Sequence, residues 1–265
     1  MTILIFFIGG LLIGSFLNVV VYRIQEAESL LGRSYCPKCK KKISWYDNIP
    51  LLSFILLRFH CRNCREKISW QYPLVELLTG MLFLAVGMKF FDPNDVSTFF
   101  LTAYYLAIIS FLIVILVYDF LYMEIPGLAL WPAILLAVMF NFWGGLGVWG
   151  DVGILGSRIF SGALAAAVGF LFFFSLVAVS REKWMGMGDA YLAILLGLIL
   201  GWPVILLALF LSFLFGATYG IILILARKKS LKSQIPFAPF LIFGTIISIF
   251  FSMPILNWYT GLFNF

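Results

Sequence analysis

Residues 97–119 read STFFLTAYYLAIISFLIVILVYD, a stretch with no charged side chain until Asp119 closes it. As a helix rising about 1.5 Å per residue, 97–118 extend about 33 Å, enough to cross the hydrocarbon core of a bilayer. Lipid offers backbone groups no partners, so a segment this apolar is helical, and it lacks the short alternating pattern of barrel strands. Outward from it, apolar segments fall at 2–22, 73–91, 97–118, 127–147, 157–179, 189–201, 203–226 and 236–258. The chain is therefore expected to be all-α and polytopic, with about eight transmembrane helices. The 189–201 segment is short, so it is either tilted or continued through Trp202-Pro203 with a kink, and a count of seven stays open. The first run resembles a signal peptide, but no Ala-x-Ala-like site follows it and Gly14, Ser15 and Asn18 interrupt its core; it reads as a retained first helix.

Composition excludes a soluble globule. Of 265 residues, 63% are hydrophobic and 11% charged, with a mean hydropathy of +1.07, far more apolar surface than a polar shell can cover. The net charge of +6 does not indicate nucleic acid, because the bases collect in segments between apolar runs. Ten of the eighteen Lys and Arg lie in 23–72; Arg181 and Lys183 form a second group, and Arg227, Lys228, Lys229 and Lys232 a third. With eight spans these groups share one side, and the positive-inside rule makes it cytoplasmic. Only Lys89 and Arg158 fall near the other face, beside Asp92, Asp95 and Asp151. Three parts are expected: a first transmembrane helix (1–22), a cytoplasmic cysteine module (23–72) and a transmembrane core (73–265). No internal repeat or low-complexity linker is read.

The cysteine module holds Cys36-Pro-Lys-Cys39 and Cys61-Arg-Asn-Cys64, with 21 residues between the pairs. Two such knuckles present four thiolates to one tetrahedral zinc, and flanking bases favour the thiolates. The interval is one residue beyond the usual zinc-ribbon window. Structural zinc is expected because a polar loop of this size has too little apolar surface to hold itself together. Disulfides and idle thiols are the alternatives, the former disfavoured in a reducing compartment. His60, the only histidine, is a fifth candidate ligand, though a solvated role accounts for it.

Asp119 and Asp189 sit at the ends of apolar segments, at the same expected cytoplasmic edge. Acids at such depth are costly and usually functional. Two carboxylates about 5 Å apart repel by about 3 kcal/mol at an effective dielectric of about 20, so a pair can hold one proton between them. One then activates water while the other polarises a scissile carbonyl. Gly186 and Gly188, preceding Asp189, permit close approach of another backbone. The plainer reading makes Asp189 a helix N-cap and Asp119 an interfacial polar end. Glu124 is interfacial, with a capacity to modulate the pair.

Several motifs now stand in one order: Gly14-Ser15-Phe16-Leu17-Asn18 with Tyr22-Arg23, both CxxC pairs, Trp45-Tyr46-Asp47-Asn48-Ile49-Pro50, Tyr72-Pro73-Leu74-Val75-Glu76, Asp119 through Ile125-Pro126, and Gly186-Met187-Gly188-Asp189. Together they resemble the type IV prepilin peptidase family along nearly the whole chain. The resemblance implies a GxGD-type membrane aspartyl protease with Asp119 and Asp189 as its catalytic pair. It would cut prepilins and pseudopilins between a basic leader ending in glycine and the apolar helix that follows, at the cytoplasmic face of the bacterial inner membrane. It also implies methylation of the new N-terminus with S-adenosylmethionine. Two departures stand out: Ala238 in Ile235-Pro236-Phe237-Ala238-Pro239-Phe240, where the family usually has glycine, and Gly127, where an acid or amide is common.

No G-x-G-x-x-G loop offers a conventional cofactor cradle. Asp47, Asn48 and Glu76 are polar candidates that turn and capping roles also explain, and Asn18 and Arg23 either line a site or serve packing and anchoring. Two other classes stand as alternatives. A coupled-ion transporter would keep its acids near the midplane, and a zinc-stabilised assembly scaffold would need neither aspartate.

Overall fold

The computed structural model describes residues 2–143, 158–183, 185–227 and 235–261. Lys228, Lys229, Lys232 and Asp151, used above for orientation, lie outside them. The described residues form nine α-helices and no strand: α1 (Thr2–Gln25), α2 (Leu52–Leu56), α3 (Gln71–Phe90), α4 (Val96–Tyr122), α5 (Gly127–Trp143), α6 (Arg158–Ser180), α7 (Met187–Leu200), α8 (Val204–Leu225) and α9 (Ala238–Gly261). Helices α1, α3, α4, α6, α8 and α9 are long and apolar enough to cross a membrane. The apolar α5 and α7 are shorter; fourteen residues of α7 reach only about 21 Å. The all-α membrane architecture holds, with eight apolar helices of which six have spanning length.

One ending decides between open alternatives and another differs from expectation. α7 does not continue through Trp202-Pro203: Gly201, at φ +70°, caps it by returning its N–H to the Gly197 carbonyl, the left-handed ending that glycine adopts without a Cβ clash. At the other site α4 runs a turn beyond Asp119, carried by the apolar Phe120 and Leu121 and a Tyr118–Tyr122 ring contact at 4.8 Å. Met123, at φ +57°, then ends it, with its N–H on the Asp119 carbonyl.

The chain divides into two compact units, 1–117 and 118–265. In the first, α1 packs along α3 at two glycines. A Cβ on Gly10 would lie 2.8 Å from the Gly80 Cα, and one on Gly14 would lie 2.8 Å from the Glu76 Cα. Without a hydrophobic drive between helices in lipid, such small-residue contacts bring backbones into van der Waals range. Asn18, buried in this seam, donates from Nδ2 to the Gly14 and Tyr72 carbonyls, both at 3.2 Å. In the second unit, Gly197 of α7 meets the backbone of Ala165 and Ala166 of α6, and Gly244 of α9 meets Ala208 and Ser212 of α8. The buried Asn141 of α5 donates to the Leu198 carbonyl of α7 at 2.8 Å.

Candidate active site and metal centre

Asp119 is 5% exposed, in the last turn of α4. An acid opposes the negative end of its own helix, typically by a few tenths to about 1 kcal/mol, so packing or capping does not account for this placement. Partial compensation comes from elsewhere in the same unit. The backbone N–H of Ala238, first residue of α9, donates to the Asp119 carboxylate, which thus occupies an anion-accepting helix N-terminus. Its Oδ2 is buried and has no protein hydrogen-bond partner among the described residues.

Asp189 is half-buried, the third residue of α7. It is not the N-cap; Gly186 is. Its carboxylate accepts the Gly186 N–H while its own N–H bonds the Gly186 carbonyl at 3.2 Å, the backward half of a capping box. That role leaves a carboxylate oxygen with spare lone pairs. The Asp189 carboxyl lies within reach of the Asp119 charge. The glycines before Asp189 differ: a Cβ on Gly188 would press to 3.2 Å on the Ile125 Cβ, whereas one on the exposed Gly186 would meet only the Gly188 nitrogen, at 4.0 Å. Glu124 is exposed.

The residue that sequence reasoning passed over is Ala238. Its side chain departs from the family's usual glycine, yet what reaches Asp119 is its backbone N–H, which alanine and glycine supply alike. The Ile235-Pro236-Phe237 lead-in was the available signal, since proline just ahead of an apolar run marks a helix start.

In the first unit the four cysteines converge. Their sulfurs all lie within 4.8 Å of one another, with Cys36 and Cys64 at 3.9 Å. Zinc bound at about 2.3 Å by four thiolates separates them by about 3.8 Å, so the donor set fits that ion. His60 is outside the cluster, its Nδ1 2.6 Å from the Arg58 carbonyl. The Cys64 N–H lowers the Cys61 thiol to about 7; Cys64 is pushed up to about 11, because desolvation and the three other sulfurs outweigh the Glu66 N–H. Four crowded thiols do not all ionise without a cation to offset them.

The expectation of no internal repeat is wrong here. Cys36-x-x-Cys39-x-x-Lys42-Ile43-Ser44-Trp45 recurs as Cys61-x-x-Cys64-x-x-Lys67-Ile68-Ser69-Trp70. The geometry repeats with it. Lys40 and Arg65 both take positive φ, their N–H groups return to the Cys36 and Cys61 carbonyls, and the bridges Tyr35–Lys42 and His60–Lys67 close each knuckle. Within the module, Trp70 packs on Phe54 and Phe59, at 5.1 and 5.5 Å between ring centres, Phe54 meets Phe59 at 4.8 Å, and Trp45 meets Tyr46 at 5.7 Å. Asp47 is committed to Arg62, at 2.8 and 2.6 Å.

Fold and sites together describe a multi-pass membrane protein with a buried and a half-buried acid in one unit and a four-thiol cluster in the other. The family described as "Bacterial Peptidase A24 N-terminal domain" matches residues 8–90, and the "Type IV leader peptidase family" matches 106–221. A prepilin leader peptidase/N-methyltransferase of Aeromonas hydrophila is 34% identical over 96% of this chain and 92% of its own length. The Bacillus subtilis protein of the same name is 32% identical over 96% of both. That of Myxococcus xanthus is 35% identical over 84% of this chain but only 64% of its own length. The chain belongs to the type IV leader peptidase family, as its motifs had suggested. No solved structure matches it.

Proposed function

We propose that this protein is a membrane aspartyl endopeptidase that removes the basic leader of type IV prepilins and pseudopilins at the cytoplasmic face of the bacterial inner membrane, and that it methylates the new N-terminus. The observation that carries this reading is that Asp119 and Asp189 come from two helix ends in one unit, with Asp189 in the field of Asp119 and with a buried Asp119 oxygen that no donor among the described residues uses. The names of the relatives supply the substrate class.

In the proposed cleavage one carboxylate takes a proton from water as the oxygen attacks the scissile carbonyl, and the protonated partner donates to the carbonyl oxygen. Collapse breaks the C–N bond, and the departing nitrogen leaves as the amine with a proton from the pair. Ala238 N–H and Gly186 N–H keep the two carboxylates oriented, and exposed Gly186 leaves room for the substrate backbone. The cysteine cluster would hold zinc as a structural ion, and no cleavage step runs through it. S-adenosylmethionine, when bound, supplies the electrophilic methyl group for the second reaction. No observation favours the transporter or scaffold readings.

The test is to incubate the purified protein in lipid with a prepilin and identify products by mass spectrometry. Cleavage after the leader glycine supports the reading, and an intact prepilin under conditions where a known family member cuts it refutes it.

A further inference from the structure

The cysteine module carries an apolar face that neither the metal site nor peptide cleavage uses. Its helix α2 reads Leu52-Ser53-Phe54-Ile55-Leu56. Phe54 is buried and points inward, its ring on Phe59 and Trp70. Ser53 donates its hydroxyl to the Ile49 carbonyl at 2.7 Å. Leu52, Ile55 and Leu56 are left outward, spaced i, i+3, i+4 on one face, with Ile55 62% and Leu56 69% exposed. A single turn has little stability of its own, and left-handed backbone at Leu51, Arg58 and Phe59 brackets it. A contiguous exposed apolar face marks an interaction or membrane surface.

Two contacts set the level of α2 against the spanning helices. The Leu51 N–H, immediately ahead of α2, donates to the buried Glu76 carboxylate at 2.8 Å. Glu76 stands six residues beyond Trp70 along α3, about 9 Å at helical rise, which is farther than a glutamate side chain and one hydrogen bond reach back. The chain therefore enters α2 on the membrane side of Trp70. Trp70 also heads an exposed apolar stripe on α3, continued by Leu74, Leu77, Leu78 and Met81 at spacings of three and four, on a helix long enough to cross a membrane. Through the ring contacts of Trp70 with Phe54 and Phe59, at 5.1 and 5.5 Å, that stripe continues onto the α2 segment.

Bases accompany the face. Arg58 follows α2 directly, and Arg65 and Lys67 stand exposed in the second knuckle, which ends at Trp70; among the described residues none of the three is in an ion pair. Residues 23–72 hold ten Lys and Arg against four Asp and Glu.

We infer that α2 is an interfacial anchor: Leu52, Ile55 and Leu56 enter the acyl layer of the leaflet on the module's side, Trp70 sits at the headgroup level, and Arg58, Arg65 and Lys67 meet anionic lipid. An apolar face with tryptophan at its edge and bases around it is how an amphipathic segment lies in a membrane interface, and each base near an anionic leaflet adds attraction. A second copy of the chain or the apolar helix of a substrate would also cover leucines, but continuity with the exposed α3 stripe and the bordering positive charge favour lipid. The cysteine cluster is thereby pinned at a fixed height on the bilayer instead of swinging on a free loop. The inference stands on the first unit alone and does not depend on the peptidase reading.

The experiment uses the full-length protein in nanodiscs of phosphatidylethanolamine and phosphatidylglycerol. A benzophenone amino acid replaces Leu56 or, in a second preparation, Ile55, with Met81 as the lipid-facing control and Lys41 as the exposed polar one. Acyl-chain adducts at either α2 position within twofold of the Met81 yield, and at least fivefold above that at Lys41, support the inference. A yield at both positions no higher than at Lys41, or a main adduct to a second copy or to co-reconstituted prepilin, overturns it. A second arm needs no substitution: trypsin should cut wild type after Arg58 at least threefold more slowly with phosphatidylglycerol present than in phosphatidylcholine alone. Ile55→Asp combined with Leu56→Asp should abolish that protection, with metal content and thermal unfolding confirming the fold. Equal cleavage of wild type in the two lipids, or full protection retained by the folded double variant, overturns the inference. Prepilin cleavage scored on the same preparations bears on the peptidase reading only.

Discussion

The backbone N–H of Ala238, at the first position of α9, donates to the carboxylate of Asp119 at the last turn of α4. A buried acid at the wrong end of its own helix is thereby held by the favourable end of another. Because the donor is backbone, the side chain at 238 is secondary and the N–H is not.

Ala238→Gly should therefore cleave prepilin at close to the wild-type rate, while Ala238→Pro, which lacks the N–H, should slow it. A hydrogen bond to a charged group is worth about 1.5–3 kcal/mol, or about 10- to 150-fold in kcat/KM if the bond persists in the transition state. Equal rates for the two variants would show that the contact does not serve catalysis.

Gly186 and Gly188 should separate folding from turnover. Nothing nearby obstructs a methyl group at 186, so Gly186→Ala should unfold like wild type and yet cut more slowly, because the methyl occupies space assigned to substrate. Gly188→Val instead crowds Ile125 and should lower thermal stability, at a cost of about 1–3 kcal/mol. Thermal scans and initial rates on the same preparations check both.

Gly14→Leu should loosen α1 from α3, since a Cβ at 14 already meets the Glu76 Cα at 2.8 Å. Backbone cannot yield as a flexible side chain does, so a cost at or above about 3 kcal/mol is expected, visible as early thermal unfolding in detergent.

Purified protein should carry one zinc per chain, lost in Cys36→Ser with Cys61→Ser. Bound thiolates compete with protons, so retention against a chelator should be firm above the Cys61 value of about 7 and weaken as pH falls through it. Equal retention from about pH 8 to about pH 6 would contradict a thiolate site.

The eight apolar helices were legible because lipid-facing segments need nearly uniform apolarity, and the four cysteines because metal ligands recur at fixed spacing. Asp119 and Asp189 could be picked out as acids in apolar sequence. Their companions are less legible, since Ala238 and Gly186 contribute backbone N–H groups: Pro236 marks where α9 starts, but not which acid the N–H at that start will meet. The ending of α7 turned on one left-handed glycine, Gly201, that a hydropathy window averages away. Both CxxC knuckles were legible, but their repetition was not, because the six identical positions of each ten-residue segment lie inside a polar loop, away from the apolar periodicity that guides segmentation. The buried Glu76 looks like an ordinary interfacial residue until the chain is folded and its bond to the Leu51 N–H becomes visible.

The most direct test of the central claim is the rate of prepilin cleavage by Asp119→Asn, Asp189→Asn and the double variant, each confirmed as folded. Residues acting as one unit are not additive, so each single variant should lose at least about a thousandfold and the double little more. A folded single variant that still cuts at near the wild-type rate would contradict the shared-proton pair.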